Sequence, residues 1–197
     1  ILRQSETKYR TLVETAVDIP YRMDNRGILT FIGPQVKKYG LDDRKMIGKN
    51  FLAIIYPADR RRIIGEVIKF RRTGKSSLSQ FRVRNPAGKI FWFEENSSSE
   101  YNDKGIIIGQ AGILRDITER KRAEEEASRM VTVVRDSNDA IIIQNFNGNI
   151  LAWNHGAERI FGYSEKEALK MKIWQLAPPD KAKEQKDFNR RIFTGEK

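Results

Sequence analysis

The spacing of hydrophobic residues changes several times along the chain, and each change marks an element. Leu2, Ser5, Tyr9, Leu12 and Ala16 recur at alternating three and four, the spacing of one helix face. Two short runs follow, Ile19–Met23 and Ile28–Phe31, joined by Asp24-Asn25-Arg26-Gly27. Asn and Gly tolerate positive φ, so this pattern predicts a hairpin. A helical, turn-broken stretch covers Pro34–Ile55, punctuated by Gly40 and Gly48. A longer amphipathic helix is predicted from about Pro57 to Arg72, with Pro in the first turn and Gly74 as the stop. Ile63, Ile64, Val67, Ile68 and Phe70 give it an apolar side. Three strand-like stretches come next, Ser77–Arg84, Lys89–Ser99 and Ile106–Asp116. Asn85-Pro86-Ala87-Gly88 and Asn102-Asp103-Lys104-Gly105 join them as hairpin turns.

The pattern then begins again. A shift of 121 places Val13 on Val134, Asp18 on Asp139 and Gly27 on Gly148. A shift of 122 places Ile28-Leu29 on Ile150-Leu151, Phe31 on Trp153, Tyr39 on Phe161, Gly40 on Gly162 and Pro57 on Pro179. The register returns to 121 at Asp59/Asp180 and Thr73-Gly74/Thr194-Gly195. One extra residue near Asn149 and one fewer after Pro179 account for the drift. Two copies of one unit are therefore expected, the second cut off before its last three strands. Sequential hairpins and one helical crossover predict an α+β unit: a five-stranded antiparallel sheet with helices on one face, preceded by an N-terminal helix. The expected divisions are an N-terminal linker helix over 1–18, a first domain over 19–118, a connecting helix over 119–137 and an incomplete second domain over 138–197. A two-stranded sheet is marginal alone, so residues 138–197 made separately are expected not to fold cooperatively.

Composition removes several kinds of chemistry. The chain has 197 residues, no Cys and one His. Disulfides, thiolate metal sites, Fe–S clusters, a Cys nucleophile and a multi-His metal site are excluded. The longest apolar run, Phe51–Tyr56, is too short to span a membrane. Of the net charge of +11, residues 1–118 carry +9. Such a surface suits nucleic acid or anionic lipid. Arg60-Arg61-Arg62 and Arg71-Arg72 instead lie on one amphipathic helix, where a solvated face explains them, and no nucleic-acid motif accompanies them. The chain opens at Ile1 and reads as a piece of something longer.

The order of elements resembles a PAS domain, and local motifs match. Ile150-Leu151-Ala152-Trp153-Asn154, then Ala157-Glu158 and Ile160-Phe161-Gly162-Tyr163-Ser164 with Glu165 and Glu167, is similar to the PAS segment from second strand to first short helix. Thr30-Phe31-Ile32-Gly33-Pro34 with Val36 and Tyr39-Gly40-Leu41 resembles the variant carrying Ser-Pro there, with Gly33 in place of Ser. Asp116-Ile117-Thr118-Glu119-Arg120-Lys121 resembles the stretch that closes many signalling PAS domains and leads into the next helix. Trp92 and the Asp103-Lys104-Gly105 turn sit where that family's last two strands place them. The resemblance implies signal coupling at Asp116, Thr118, Glu119 and Arg120.

By chemistry alone, the Thr118 hydroxyl can cap the following helix and Asp116 can face that helix end or Arg120. Asn154 ends a strand and starts a helix, so capping explains it. Tyr21, Tyr39, Phe51, Phe81, Trp92 and Phe93 read as core that also lines a cavity between sheet and helices. Glu94-Glu95-Asn96 and Gln110 lie on strands whose inward parity the sequence leaves open. A small colourless ligand in the first domain fits this set. His155 lies off the long helix that carries the haem ligand in oxygen-sensing relatives, so haem is not expected. The absence of Cys excludes a cysteinyl-flavin adduct. Ser97-Ser98-Ser99 has no His to activate it, and no catalytic constellation or metal site is present.

The resemblance implies cytoplasmic sensory and dimerisation modules, with a sensor histidine kinase as the parent's commonest output. Alternatives are a diguanylate cyclase or transcriptional regulator driven by the same modules, a ligand-free oligomerisation scaffold, and a basic nucleic-acid binder. Ala123, Ala127, Met130 and Val134 recur at four, three, four, a short coiled-coil seam. A homodimer through the N-terminal and connecting helices is expected, with the output domain in cis.

Overall fold

The computed structural model describes residues 13–73 and 78–178, with isolated positions between 181 and 191. Most of the expected N-terminal helix, Gly74 and the second copy's matches at Pro179, Asp180 and Thr194-Gly195 lie outside the described residues. The chain forms two compact units, Ile1–Arg122 and Ala123–Lys197.

In the first unit, β1 (Ile19–Asp24) and β2 (Leu29–Ile32) form the expected hairpin. Gly27 takes φ +82°, a conformation an L side chain resists. A 3-10 helix (Pro34–Tyr39), α1 (Asp43–Met46) and a second 3-10 turn (Phe51–Ala53) cross over to α2 (Pro57–Thr73). β3 (Leu78–Arg84), β4 (Ile90–Tyr101) and β5 (Ile107–Asp116) complete a five-stranded sheet in the order β2-β1-β5-β4-β3. All its ladders are antiparallel.

One sheet face carries the core. Ile19, Tyr21 and Met23 of β1, Phe81 and Val83 of β3, and Phe91 and Phe93 of β4 are buried beneath Val36, Tyr39, Met46 and Ile63. The apolar side of α2 is narrower than the sequence suggests. Ile63 and Phe70 are buried and Val67 packs on the core, but Ile64 and Ile68 are 43% and 52% exposed. Asp59 replaces them on the inner face, because its carboxylate accepts the Arg82 backbone N–H and is bonded by the Arg82 guanidinium.

The helix α3 (Thr118–Asp136) leaves β5 directly. In the second unit, β6 (Ile142–Gln144) and β7 (Ile150–Trp153) pair antiparallel and lead to α4 (His155–Phe161), α5 (Glu165–Ala168) and a 3-10 turn, Ile173–Leu176. Ile150, Trp153, Ala157 and Ala168 form its small core.

The repeat register departs from the sequence alignment. β1 pairs Met23 with Leu29 and Tyr21 with Ile32, while β6 pairs Gln144 with Ile150 and Ile142 with Trp153. The shift is therefore still 121 through the whole hairpin, and Trp153 matches Ile32 rather than Phe31. The extra residue lies further on. The first unit bridges to Gly40 with a six-residue 3-10 helix, the second to Gly162 with a seven-residue α-helix. Both glycines then take left-handed φ, +73° and +77°.

Candidate functional site

The inner face of the first sheet carries one polar cluster. The register opposes Tyr21 to Gly112 and Met23 to Gln110, and β4 to β5 as Ser97/Gly112 and Ser99/Gln110. Side chains alternate along a strand, so Tyr21, Glu95, Ser97 and Gln110 share the core face. Tyr21 Oη donates to Glu95, and Gln110 Nε2 donates to Tyr21 Oη (3.0 Å), Glu95 Oε1 (2.9 Å) and Ser97 Oγ (2.6 Å). Burial pushes the Glu95 carboxyl up, against the pull of the Tyr21 hydrogen bond, and the Glu66 charge on α2 pushes the same way. Burial and then Glu95 drive the Tyr21 hydroxyl up as well. Glu66 itself bonds Ser79 and Arg62.

Beside this cluster lies a cavity of about 30 Å³ whose walls include Tyr21, Phe51, Phe81 and Glu95. That is room for one or two waters. Of the residues the sequence offers for a pocket, Tyr21, Phe51 and Phe81 line it and Gln110 joins through its hydrogen bonds. Tyr39 stacks edge-on against Phe91 and Phe93, each with centroids 5.0 Å apart, and is core. Trp92 is a correction: it has the opposite parity to Phe91 and Phe93 and stands on the outer face. There the Arg82 guanidinium and the Lys121 ammonium sit 5.3 and 5.7 Å from its ring centre. Two cations suit the face of an indole, which is why this large apolar residue is not inside. Glu95, missed as a specific site residue, had only its strand placement as a signal.

The junction between β5 and α3 is the second constellation. Asp116 Oδ1 accepts the Thr118 N–H at 2.9 Å, so Asp116 caps the helix. The Thr118 hydroxyl does something other than the expected capping. It accepts the Trp92 N–H of β4 at 2.9 Å, while the Ile117 N–H donates to the Trp92 carbonyl. Arg120 pairs with Glu94 of β4 at 3.0 Å. The Gln80 hydrogen bond and then Arg120 hold the Glu94 carboxyl below its usual range. Tyr39 faces Asp116 from inside, and burial and then that charge raise its hydroxyl pKa. Glu119 is exposed. Three side chains thus tie the first turn of α3 to the centre of the sheet.

Beyond that turn the apolar stripe of α3 is exposed. Ala123 and Ala127 are exposed, and Met130 and Val134 are 59% and 42% exposed. Met130 and Val134 also border an open groove of about 670 Å³ in the second unit, floored by Ile141, Ile143 and Ala152 on the outer face of β6 and β7. Asn154 caps α4 as expected, its Oδ1 accepting the Ala157 N–H at 2.9 Å. His155 lies against Asp136 at 3.3 Å. Among the described residues no His, Cys, Asp and Glu grouping could hold a metal, and no helix is long and apolar enough to cross a membrane.

Two family models, both of the PAS fold, match residues 29–114 and 128–197. The chain belongs to the PAS family, as a tandem of two such units. It is 27% identical over 138 residues to the sensor protein FixL of Bradyrhizobium diazoefficiens, covering 68% of this chain and 27% of that protein. It is 27% identical over 126 residues to the methanogenesis regulatory histidine kinase FilI of Methanothrix harundinacea, covering 64% of this chain and 14% of that one. The chain thus spans less than a third of either relative. Among solved structures, the PAS domain of a Colwellia psychrerythraea protein superposes with a TM-score of 0.53 at 22% identity, over 58% of this chain and 98% of that one.

Proposed function

We propose that these units are cytoplasmic sensory and dimerisation modules that pass a signal along α3 toward an output domain in cis, a histidine kinase. The tie between α3 and the sheet carries this reading. A change on the inner face at Glu95 is one residue along β4 from Glu94, which holds Arg120, and three from Trp92, which holds Thr118. A small shift of β4 therefore reaches the helix with no flexible link between. Two named relatives, a sensor protein and a histidine kinase, support the choice of output. Any ligand of the inner cavity is small and colourless, since about 30 Å³ leaves no place for a ring system.

The stripe Ala123, Ala127, Met130 and Val134 supplies a parallel dimer contact whose rotation carries the signal. Small residues make that seam weak, so two arrangements lie within a few kcal/mol. Helical phase tests the idea in the full-length protein. Seven residues inserted after Glu126 keep the stripe aligned and preserve regulation. Two inserted residues rotate it by about 200° and lock or abolish output. Equal behaviour of both insertions would reduce the connector to a passive tether.

A further inference from the structure

The two units hold the segment that precedes their first strand by the same carbonyl, but with different residues. In the second unit Asn154 Nδ2 donates to the Val134 and Asp139 carbonyls, both at 2.9 Å. In the first, Gln35 Nε2 donates to the Val13 carbonyl at 2.5 Å and the Ala16 carbonyl at 3.1 Å. With the shift of 121, Val13 and Val134 are one position. Asn154 matches Gly33, and Gln35 matches Gly156. The carboxamide and the glycine have exchanged places.

The surroundings explain the exchange. A Cβ on Gly156 would collide with the Asp139 carbonyl and come within 2.8 Å of the Ser137 carbonyl. A Cβ on Gly33 would collide with Gln35 Oε1 and come within 2.8 Å of Pro20 Cδ. Asn154 Oδ1 also accepts the Ile141 N–H at 2.8 Å. The residue matching Ile141 is Pro20, which has no N–H, so an Asn at 33 would lose that partner. Pro20, Gly33 and Gln35 form one set; Ile141, Asn154 and Gly156 form the other.

We infer that these sets are two forms of one latch, and that Asn154 is the positioning residue through which the far end of α3 acts on the second unit. Thr118 ties the near end of the same helix. This rests on the reading that α3 carries a signal, and the experiment separates the two claims. Hydrogen exchange of the whole chain is measured in wild type, Asn154→Asp and Asn154→Gly, each with and without Thr118→Val. Asn154→Asp keeps the acceptor for Ile141 and Ala157 but turns an oxygen toward the Val134 and Asp139 carbonyls, so both donated bonds are lost, and protection of the β6 and β7 amides reports that the unit stays folded. Protection of residues 131–136 should fall about tenfold in Asn154→Asp and Asn154→Gly. Thr118→Val should change exchange at the Trp153 and Ala157 amides by at least about threefold in wild type, and not when the latch is open. A purely structural role would leave the response to Thr118→Val intact in Asn154→Asp. Unchanged protection of 131–136 in Asn154→Asp overturns the latch. A weakened helix end with no response to Thr118→Val, even in wild type, overturns transmission along α3 and with it the assigned role of Asn154.

Discussion

Replacing Asp59 by Ala is the most quantitative test of how α2 is fastened to the sheet. Asp59 lies in the first turn of α2, and its carboxylate accepts Arg82 N–H at 2.9 Å, Nε at 3.0 Å and Nη2 at 2.6 Å. Its side chain is 9% exposed and that of Arg82 30%. Removing one partner of a buried pair costs about 3–5 kcal/mol. Because Arg82 retains some solvent and rests on the Tyr56 and Trp92 rings, the low end applies, about 3 kcal/mol. Urea unfolding of the whole chain, followed at the indole N–H resonance of Trp92, the only tryptophan of the first unit, should then shift its midpoint down by about 1.5 M at a slope of about 2 kcal/mol/M. Asp59→Asn keeps an oxygen and loses the charge, and should fall between the two.

Acidity supplies a second arm. The Arg82 hydrogen bonds, acting against burial, hold the Asp59 carboxyl below its usual range. A carboxyl depressed in the folded state stabilises above its unfolded pKa and loses that contribution as pH falls through its folded pKa. The gap between wild type and Asp59→Ala should therefore be constant from about pH 6 to 7 and narrow below about pH 4. A gap under about 1 kcal/mol at neutral pH, or one that stays the same at pH 3, would refute the assignment.

Glu95→Gln should flatten the pH dependence of stability. The folded state holds the Glu95 proton at pH values where the unfolded chain releases it, so wild-type stability falls as pH climbs from about 4.3 toward the raised pKa; an unchanged slope in the variant would contradict this. Thr118→Ser keeps the acceptor for Trp92 N–H, and Thr118→Val removes it. Val should cost about 1–2 kcal/mol more than Ser in the Trp92-reported melt, and equal costs would show that the hydroxyl is not the tie. Gly112→Ala should cost about 3 kcal/mol, because its Cβ would meet the Asn96 carbonyl and lie 2.8 Å from Ser97 Cβ; a neutral result in thermal melts would mean that β4 and β5 can separate. Purified protein should show neither a Soret band nor flavin absorption, and a stoichiometric chromophore would overturn the small-cavity reading.

Turn chemistry made the strands legible. Asp24 and Asn102 each accept two backbone N–H groups with one side-chain oxygen and Asn85 accepts one across its turn, so the hairpins are written locally. The Asn154 cap is equally local, an acceptor three residues from its donor. The parity of β4 was not legible, because Phe91-Trp92-Phe93 is apolar throughout and only the distant Arg82 and Lys121 decide that Trp92 faces out. The partners of Thr118 and Arg120 lie 26 residues away, on a strand whose register no local signal sets. The inner cluster depends on Tyr21 meeting Glu95 across 74 residues of chain.

The two short helices that bridge to Gly40 and Gly162 differ in length by one residue, yet neither the strand before nor the cap after is displaced. A 3-10 helix rises about 2.0 Å per residue and an α-helix about 1.5 Å, so six residues of one cover about 12 Å and seven of the other about 10.5 Å. Helix type thus acts as a vernier that absorbs a single-codon insertion inside a packed domain. The segments Gly33–Gly40 and Asn154–Gly162 become interchangeable cassettes, provided Pro20 or Ile141 travels with its own. Chimeras cut at those boundaries should fold, whereas cuts at the preceding hairpin turn, where the linear alignment puts its gap, should shift a strand by one residue and turn its core face to water.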